Sequence, residues 1–185
     1  MDNFVFEPSN KFLDPERILF AAGLTPGQTV ADLGTGSGFY TQAAGKIVGD
    51  AGLVYACDIL ETALDHVAAE GRLKGLRNLK SFRTDLELPN SCAVIPVGSV
   101  DLVIMANIAH QIKNPTAMFK EAYRILKTGG KLVVTEWNDQ PSPIGPQVED
   151  RVSSEQVVKL AKQATLKEAG TLLTDNYHFG LMFIK

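Results

Sequence analysis

The sequence predicts an α/β protein: a parallel sheet covered by helices on both faces and closed by an antiparallel hairpin. Three observations lead there. Apolar stretches of strand length alternate with helical stretches along most of the chain, the pattern of a parallel sheet with crossover helices. Val100 to Ala106 is almost continuously apolar, as strands buried on both faces are. Two short closing stretches lie too close together for a parallel crossover, so the last strand must run against its neighbours.

Residues 1–13 lack periodicity and read as an N-terminal arm; Phe4, Phe6 and Phe12 make it either a lid over the site or a strip packed on the sheet. Asp14-Pro15-Glu16 is a helix start, with an N-cap, proline at the first helical position and an acid in the first turn. Ile18, Leu19 and Ala22 share a face, and Gly23 stops the helix. Gln28 to Leu33 is the first strand, followed by a helix over Phe39 to Val48. Leu53 to Asp58 is the second strand, and Glu61 to Gly75 a helix weakened by Gly71. Leu79 to Thr84 is the third strand, residues 85–99 are mostly loop, and Val100 to Ala106 is the fourth strand. Asn114-Pro115 opens an amphipathic helix with Met118, Phe119, Ala122, Ile125 and Leu126 inward. Gly129-Gly130 turns the chain into a fifth strand, Lys131 to Trp137. After a proline-rich loop, Ser153 to Gln156 forms a capping box for another helix, which Gly170 ends. Leu172 to Asn176 and Phe179 to Ile184 are the closing strands.

The 185 residues suit a single domain over 1–185. Hydrophobic residues make up 45% and charged ones 21%, ordinary for a soluble globular chain. The net charge of −3 argues against a large nucleic-acid footprint. Cys57 and Cys92 sit in no CxxC pair or Cys/His cluster, so neither a metal site nor a disulfide framework is expected. No secretory signal opens the chain, and the stretch Leu102 to Ile112 is too short to span a bilayer, so a cytoplasmic location without membrane insertion is expected.

In an open parallel sheet, ligands bind beyond the carboxyl ends of the strands. After the first strand comes Asp32-Leu33-Gly34-Thr35-Gly36-Ser37-Gly38. Its glycines let the backbone turn tightly and approach a ligand, and a helix N-terminus follows that offers free N–H groups to a carboxylate. A dinucleotide fingerprint is GxGxxG, which would put a third glycine at position 39. The chain has Phe39 there and Gly38 before it. The GxGxG spacing fits a nucleoside cofactor without a pyrophosphate. Asp32 agrees, since a carboxylate there repels phosphate but can hold an ammonium or sulfonium group. After the second strand, Asp58 can accept hydrogen bonds from both ribose hydroxyls, which by itself does not separate a mononucleoside from a dinucleotide. Ile59 can lie against a base or simply pack the helix start. After the third strand, Asp85 can accept from an adenine amino group, with Leu86 supplying backbone contacts; the plainer role of Asp85 is a turn residue.

The runs VADLGTGSGFYT, VYACDI, FRTDLELP, VDLVIMANIAHQIKNP and FKEAYRILKTGGKLVV, in this order, resemble the successive motifs of class I S-adenosylmethionine-dependent methyltransferases. The resemblance covers about residues 12 to 137, and its closest flavour is the small-molecule group that includes quinone C-methyltransferases. It implies a Rossmann-like, doubly wound, seven-stranded sheet of order 3-2-1-4-5-7-6. It also implies S-adenosyl-L-methionine contacts at Asp32, Gly34, Thr35, Gly36, Gly38, Asp58, Ile59, Asp85, Leu86 and Asn107. Thr35 departs mildly from the cysteine or alanine of many relatives. Two cysteines cannot supply arsenite chemistry, and Asn107-Ile108-Ala109-His110 lacks the Asn/Asp-Pro-Pro-Tyr-type motif of enzymes that methylate exocyclic amines.

The expected reaction is methyl transfer to a small-molecule acceptor. Holding the acceptor in line with the methyl can supply about 7–11 kcal/mol of the barrier. A base is needed only for a poorly ionised acceptor. His110, after the fourth strand, is the candidate catalytic base, its alternative role being a structural loop residue. His66 and His178 read as surface residues. With no inserted substrate domain, the acceptor pocket is either open or completed by a second subunit in a homodimer. The competing readings are a non-catalytic cofactor-binding module acting through a protein partner, and a nicotinamide oxidoreductase, which Phe39 and Asp32 disfavour.

Overall fold

The computed structural model describes residues 13–185; the N-terminal arm lies outside the described residues, apart from Leu13. Seven strands form one sheet in the order β3-β2-β1-β4-β5-β7-β6. The first four pairings outward from β1 (Thr29–Leu33) are parallel: with β2 (Leu53–Asp58), from there to β3 (Leu79–Arg83), with β4 (Val100–Ala106), and from there to β5 (Leu126–Trp137). β7 (His178–Ile184) inserts antiparallel between β5 and the edge strand β6 (Lys167–Leu172).

Period-two alternation assigns the two faces. Val30 of β1 and Leu102 and Ile104 of β4 join Ile18, Leu19 and Ala22 of α1 (Pro15–Ala21 with its cap residue) and Ala44, Ile47 and Val48 of α2 (Phe39–Val48). Ala31, Leu33, Val103 and Met105 point the other way, onto Met118, Phe119, Ala122 and Ile125 of α4 (Pro115–Ile125) and Val157 and Ala161 of α5 (Ser154–Gln163). The remaining helix, α3 (Glu61–Leu73), packs beside α2 over β2 and β3. Among the described residues no helix is long and apolar enough to cross a membrane.

Two of the five α-helices among the described residues start at a hydrogen-bonded side-chain cap. Asp14 caps α1 by accepting the Arg17 N–H at 3.2 Å. Ser153 and Gln156 form the reciprocal capping box of α5, with contacts of 3.3 and 2.8 Å. Two expectations at the end of the chain need correction. α5 ends at Gln163, well before Gly170. Gly170, at φ +136°, instead sits in a register shift within β6, which therefore spans Lys167–Leu172 and not residues 172–176. The strand is an exposed edge carrying Lys167 and Glu168, charged as edge strands tend to be, so it shows no apolar alternation. β5 is continuous with the end of α4, and its regular pairing with β4 runs from Lys131 after an irregularity near Val100.

Candidate cofactor and acceptor site

Strand β1 ends in Asp32 and Leu33, and the chain then leaves the sheet through the glycine loop. The turn is anchored from β2: the Gly34 and Thr35 N–H groups both donate to the Cys57 carbonyl at 2.9 Å. Gly34, Gly36 and Gly38 adopt φ of +80°, +49° and +77°, a left-handed region that suits glycine. Their roles differ. A Cβ on Gly34 would meet the Ile108 side chain at 2.6 Å, and one on Gly38 would meet Val67 at 2.6 Å. A Cβ on Gly36 would meet no protein atom within 4 Å. Gly34 and Gly38 thus allow close packing, whereas Gly36 leaves open space at the ligand side of the loop.

That space belongs to a cavity of about 790 Å³ beyond the carboxyl ends of the strands. Asp32, Gly34, Thr35, Gly36, Asp58, Ile59, Asp85, Leu86 and Asn107 all line it, so nearly all the expected cofactor residues come together. Gly38 does not; it is the N-cap of α2. The cavity has two halves. On the β1–β3 side its charged groups are four carboxylates, Asp32, Asp58, Asp85 and Glu87; no lysine or arginine is among the described lining residues. On the β4–β5–β7 side the wall is uncharged and largely apolar, with Tyr40, Ile108, Ile112, Trp137 and Ile144 as well as His178.

Each carboxylate has a defined setting. Asp58 Oδ2 accepts the Gly36 N–H and its Oδ1 the Leu60 N–H, both at 2.9 Å. Asp85 Oδ1 accepts the Glu87 N–H at 2.9 Å, an Asx-type turn that orients the carboxylate. Asp32 is 1% exposed. Its Oδ2 accepts the Thr41 hydroxyl at 2.6 Å, and that hydroxyl also meets Thr35 Oγ1 at 2.5 Å. Burial drives the Asp32 pKa up to about 6; the Thr41 and Thr35 hydroxyls pull the other way, and the Asp58 charge adds a little to the rise.

The acceptor half departs from expectation at its histidines. His110 contributes nothing to the cavity wall. Its Nδ1 pairs with Glu136 Oε2 at 2.9 Å, and Glu136 Oε1 accepts the Ala109 N–H at 2.6 Å, so the buried glutamate pins the turn after β4. His178, expected at the surface, is 5% exposed and lines the cavity. Its Nδ1 lies 2.8 and 2.9 Å from the two Asp175 oxygens, and its Nε2 lies 3.2 Å from Asn107 Nδ2. Asn107, in the left-handed region at φ +53°, leaves its buried Oδ1 without a partner among the described residues. The Tyr40 phenol lies 3.3 Å from Thr135 Oγ1, and burial pushes its pKa well above the ordinary tyrosine value. The strand register could not reveal His178 without β6 in place; the available signal was Asp175, three residues before it in a turn.

A glycine loop at a helix N-terminus, carboxylates at the ends of β1 and β2 and just after β3, and a sheet of this order define an α/β fold of the methyltransferase class. The methyltransferase domain model matches residues 31–134, and the chain belongs to that family. It is 30% identical over 153 residues to the ubiquinone/menaquinone biosynthesis C-methyltransferase UbiE of Hydrogenovibrio crunogenus, covering 80% of this chain and 57% of that protein. The UbiE of Shewanella pealeana is likewise 30% identical, over 78% of this chain and 57% of its own length. The chain thus spans little more than half the length of these relatives. A SAM-dependent methyltransferase of known structure from Aquifex aeolicus superposes with a TM-score of 0.84 at 29% identity, over 94% of this chain and 90% of that one.

Proposed function

We propose that this protein transfers a methyl group from S-adenosyl-L-methionine to an uncharged, ring-shaped small molecule bearing a phenolic hydroxyl. One observation carries the reading: a single cavity joins an acidic half with a glycine loop to an uncharged, aromatic half. The acidic half suits a cofactor that is cationic at its sulfonium and ammonium groups, and it disfavours the pyrophosphate of a nicotinamide dinucleotide, whose charge these carboxylates would repel. When bound, the cofactor supplies an electrophilic methyl group.

The chain's own residues then divide the work. Asp58 accepts from the ribose hydroxyls and keeps the glycine loop in place. Asp85, with the Leu86 backbone, reads the adenine edge, and Ile59 packs on its face. Asp32 faces the cationic end, the Thr35–Thr41 hydroxyl pair holding its carboxylate. Asn107, whose Oδ1 is unpartnered among the described residues, takes a donor from the ligand, and the positive N-terminal end of α2 behind the glycine loop favours the carboxylate. Trp137, Tyr40 and Ile144 exclude water and stack a flat acceptor. The UbiE relatives, named for quinone biosynthesis, support an acceptor of the hydroquinone type. The net charge of −3 supports a small acceptor over a nucleic acid.

Calorimetry tests the cofactor: S-adenosylhomocysteine should bind saturably and NAD should not, and the reverse result would sink the reading. Methyl release is then followed as S-adenosylhomocysteine formation over a panel of phenols and hydroquinones. Turnover with at least one is expected. Cofactor binding without turnover on any acceptor would instead identify a non-catalytic module.

A further inference from the structure

The cavity's titratable groups on the acceptor side are Tyr40 and His178, and only one of them is set up to take a proton. We propose that His178, oriented by Asp175, is the base that removes the acceptor's hydroxyl proton; the inference rests on the methyl-transfer reading above. His178 opens β7 and pairs across the sheet with Trp137, the last residue of β5. The antiparallel course of β7 brings it to the ligand edge, beside Asn107 at the end of β4.

Its tautomer follows from its partners. A carboxylate only accepts, so the Asp175 oxygens at 2.8 and 2.9 Å require the proton on Nδ1. Nε2 therefore keeps its lone pair, which accepts an N–H of the Asn107 amide at 3.2 Å. That bond is long, and an acceptor hydroxyl can replace it. Asp175 is itself fixed, accepting the Tyr177 N–H at 2.8 Å. The indole of Trp137, its centroid 4.1 Å from that of the imidazole, holds the ring from one side.

The surroundings keep the imidazole neutral. Burial lowers its pKa below the ordinary histidine value; the Asp175 and Glu136 charges act upward and Arg151 acts downward, without reversing the direction. The alternatives are less suited. The Tyr40 phenol is raised out of range and bonded to Thr135. His110 lies outside the cavity, paired with Glu136.

The step is a proton transfer. The acceptor's O–H bond breaks and an N–H bond forms at Nε2, while the electron pair stays on oxygen. The imidazolium that results is paired with the Asp175 carboxylate, and the Asn107 N–H, released from Nε2, donates to the oxyanion. The phenoxide is the stronger nucleophile, at its oxygen or at the ring carbons conjugated with it; methylation at carbon also displaces a ring proton, and the C–H electron pair restores the aromatic ring while the oxygen is reprotonated. The proton passes to water when product leaves, and nothing is oxidised or reduced.

The test uses 4-nitrophenol, whose phenolate absorbs in the visible, added to protein saturated with S-adenosylhomocysteine so that no turnover occurs. The pH is set one unit below the probe's own pKa. In the wild type the bound probe should be ionised several-fold more than in solution. In His178→Gln and Asp175→Asn it should bind with an ionised fraction no higher than in solution. If His178→Gln loses S-adenosylhomocysteine binding and so has misfolded, Asp175→Asn carries the comparison. Equal ionisation in the wild type and the variants overturns the inference and leaves methyl transfer standing; it is the result expected of a histidine that only anchors Asn107. A wild type that binds S-adenosylhomocysteine but not the phenol overturns both the inference and the phenolic acceptor. A wild type that binds neither overturns the functional reading from which both derive.

Discussion

Asp58 and Gly36 are joined by a hydrogen bond of 2.9 Å that spans the gap between the end of β2 and the ligand side of the glycine loop. One carboxylate thus shapes the loop and borders the cavity it serves. Asp58→Ala should remove both contributions. Hydrogen bonds to charged groups are worth about 1.5–3 kcal/mol, so S-adenosylhomocysteine affinity should fall by at least tenfold in calorimetry. Asp58→Asn, which retains one acceptor oxygen, should lose less.

The glycines of the loop should separate binding from stability. Gly36→Val places a side chain into open cavity space at φ +49°; cofactor binding should be abolished while the folded state survives in circular dichroism. Gly38→Ala pushes a methyl to 2.6 Å from Val67 at φ +77°. Its cost should appear as lost thermal stability of about 1–3 kcal/mol, with the variant that still folds retaining most of its affinity.

Asp32 should make both stability and binding depend on pH, in opposite directions. Its folded pKa of about 6 lies above the 3.8 of the unfolded chain, so the folded state favours the protonated form. That stabilisation is complete below the unfolded pKa and is lost as pH rises through about 6, a swing on the order of 3 kcal/mol. Asp32→Asn should therefore stabilise the unliganded protein at neutral pH in thermal melts. A cationic cofactor requires the ionised form. Its affinity should weaken as pH falls below about 6, and this dependence should be absent in Asp32→Asn.

Arg151 clamps the loop that borders the acceptor half. Its guanidinium donates to the carbonyls of Asn138, Gln140 and Pro146 and lies 5.5 Å over the Trp137 ring. Arg151→Ala should free that loop and raise the KM for the acceptor by about tenfold, the scale of one charge-assisted hydrogen bond. S-adenosylhomocysteine affinity, set on the far side of the cavity, should be unchanged.

The cofactor half was legible because local signals carry it. Asp32 and Asp58 close apolar strands and Asp85 follows β3 by two residues, and the spacing of Gly34, Gly36 and Gly38 encodes the turn that leaves β1. The acceptor half depends on pairing across the chain's far end, which local signals do not carry. Gly170 marked a helix stop by residue type, yet it lies in a strand irregularity, and polar Lys167-Glu168 hid an edge strand. With β6 displaced, His178 lost its place at the sheet's ligand edge, and His110 became the natural candidate by its position after β4. What turns His110 away is Glu136, buried at the end of β5 and 26 positions later in sequence, a partner that no short-range pattern reveals.

The insertion of β7 between β5 and β6 gives the site an order of assembly. Asp32 through Leu86, which shape the cofactor half, precede Asp175 and His178 by about 90 positions in the sequence. Only the antiparallel strand β7 brings Asp175 and His178 against Asn107 and Trp137. A chain made from its N-terminus can thus present most of its nucleoside pocket before it owns the groups proposed to act on the acceptor.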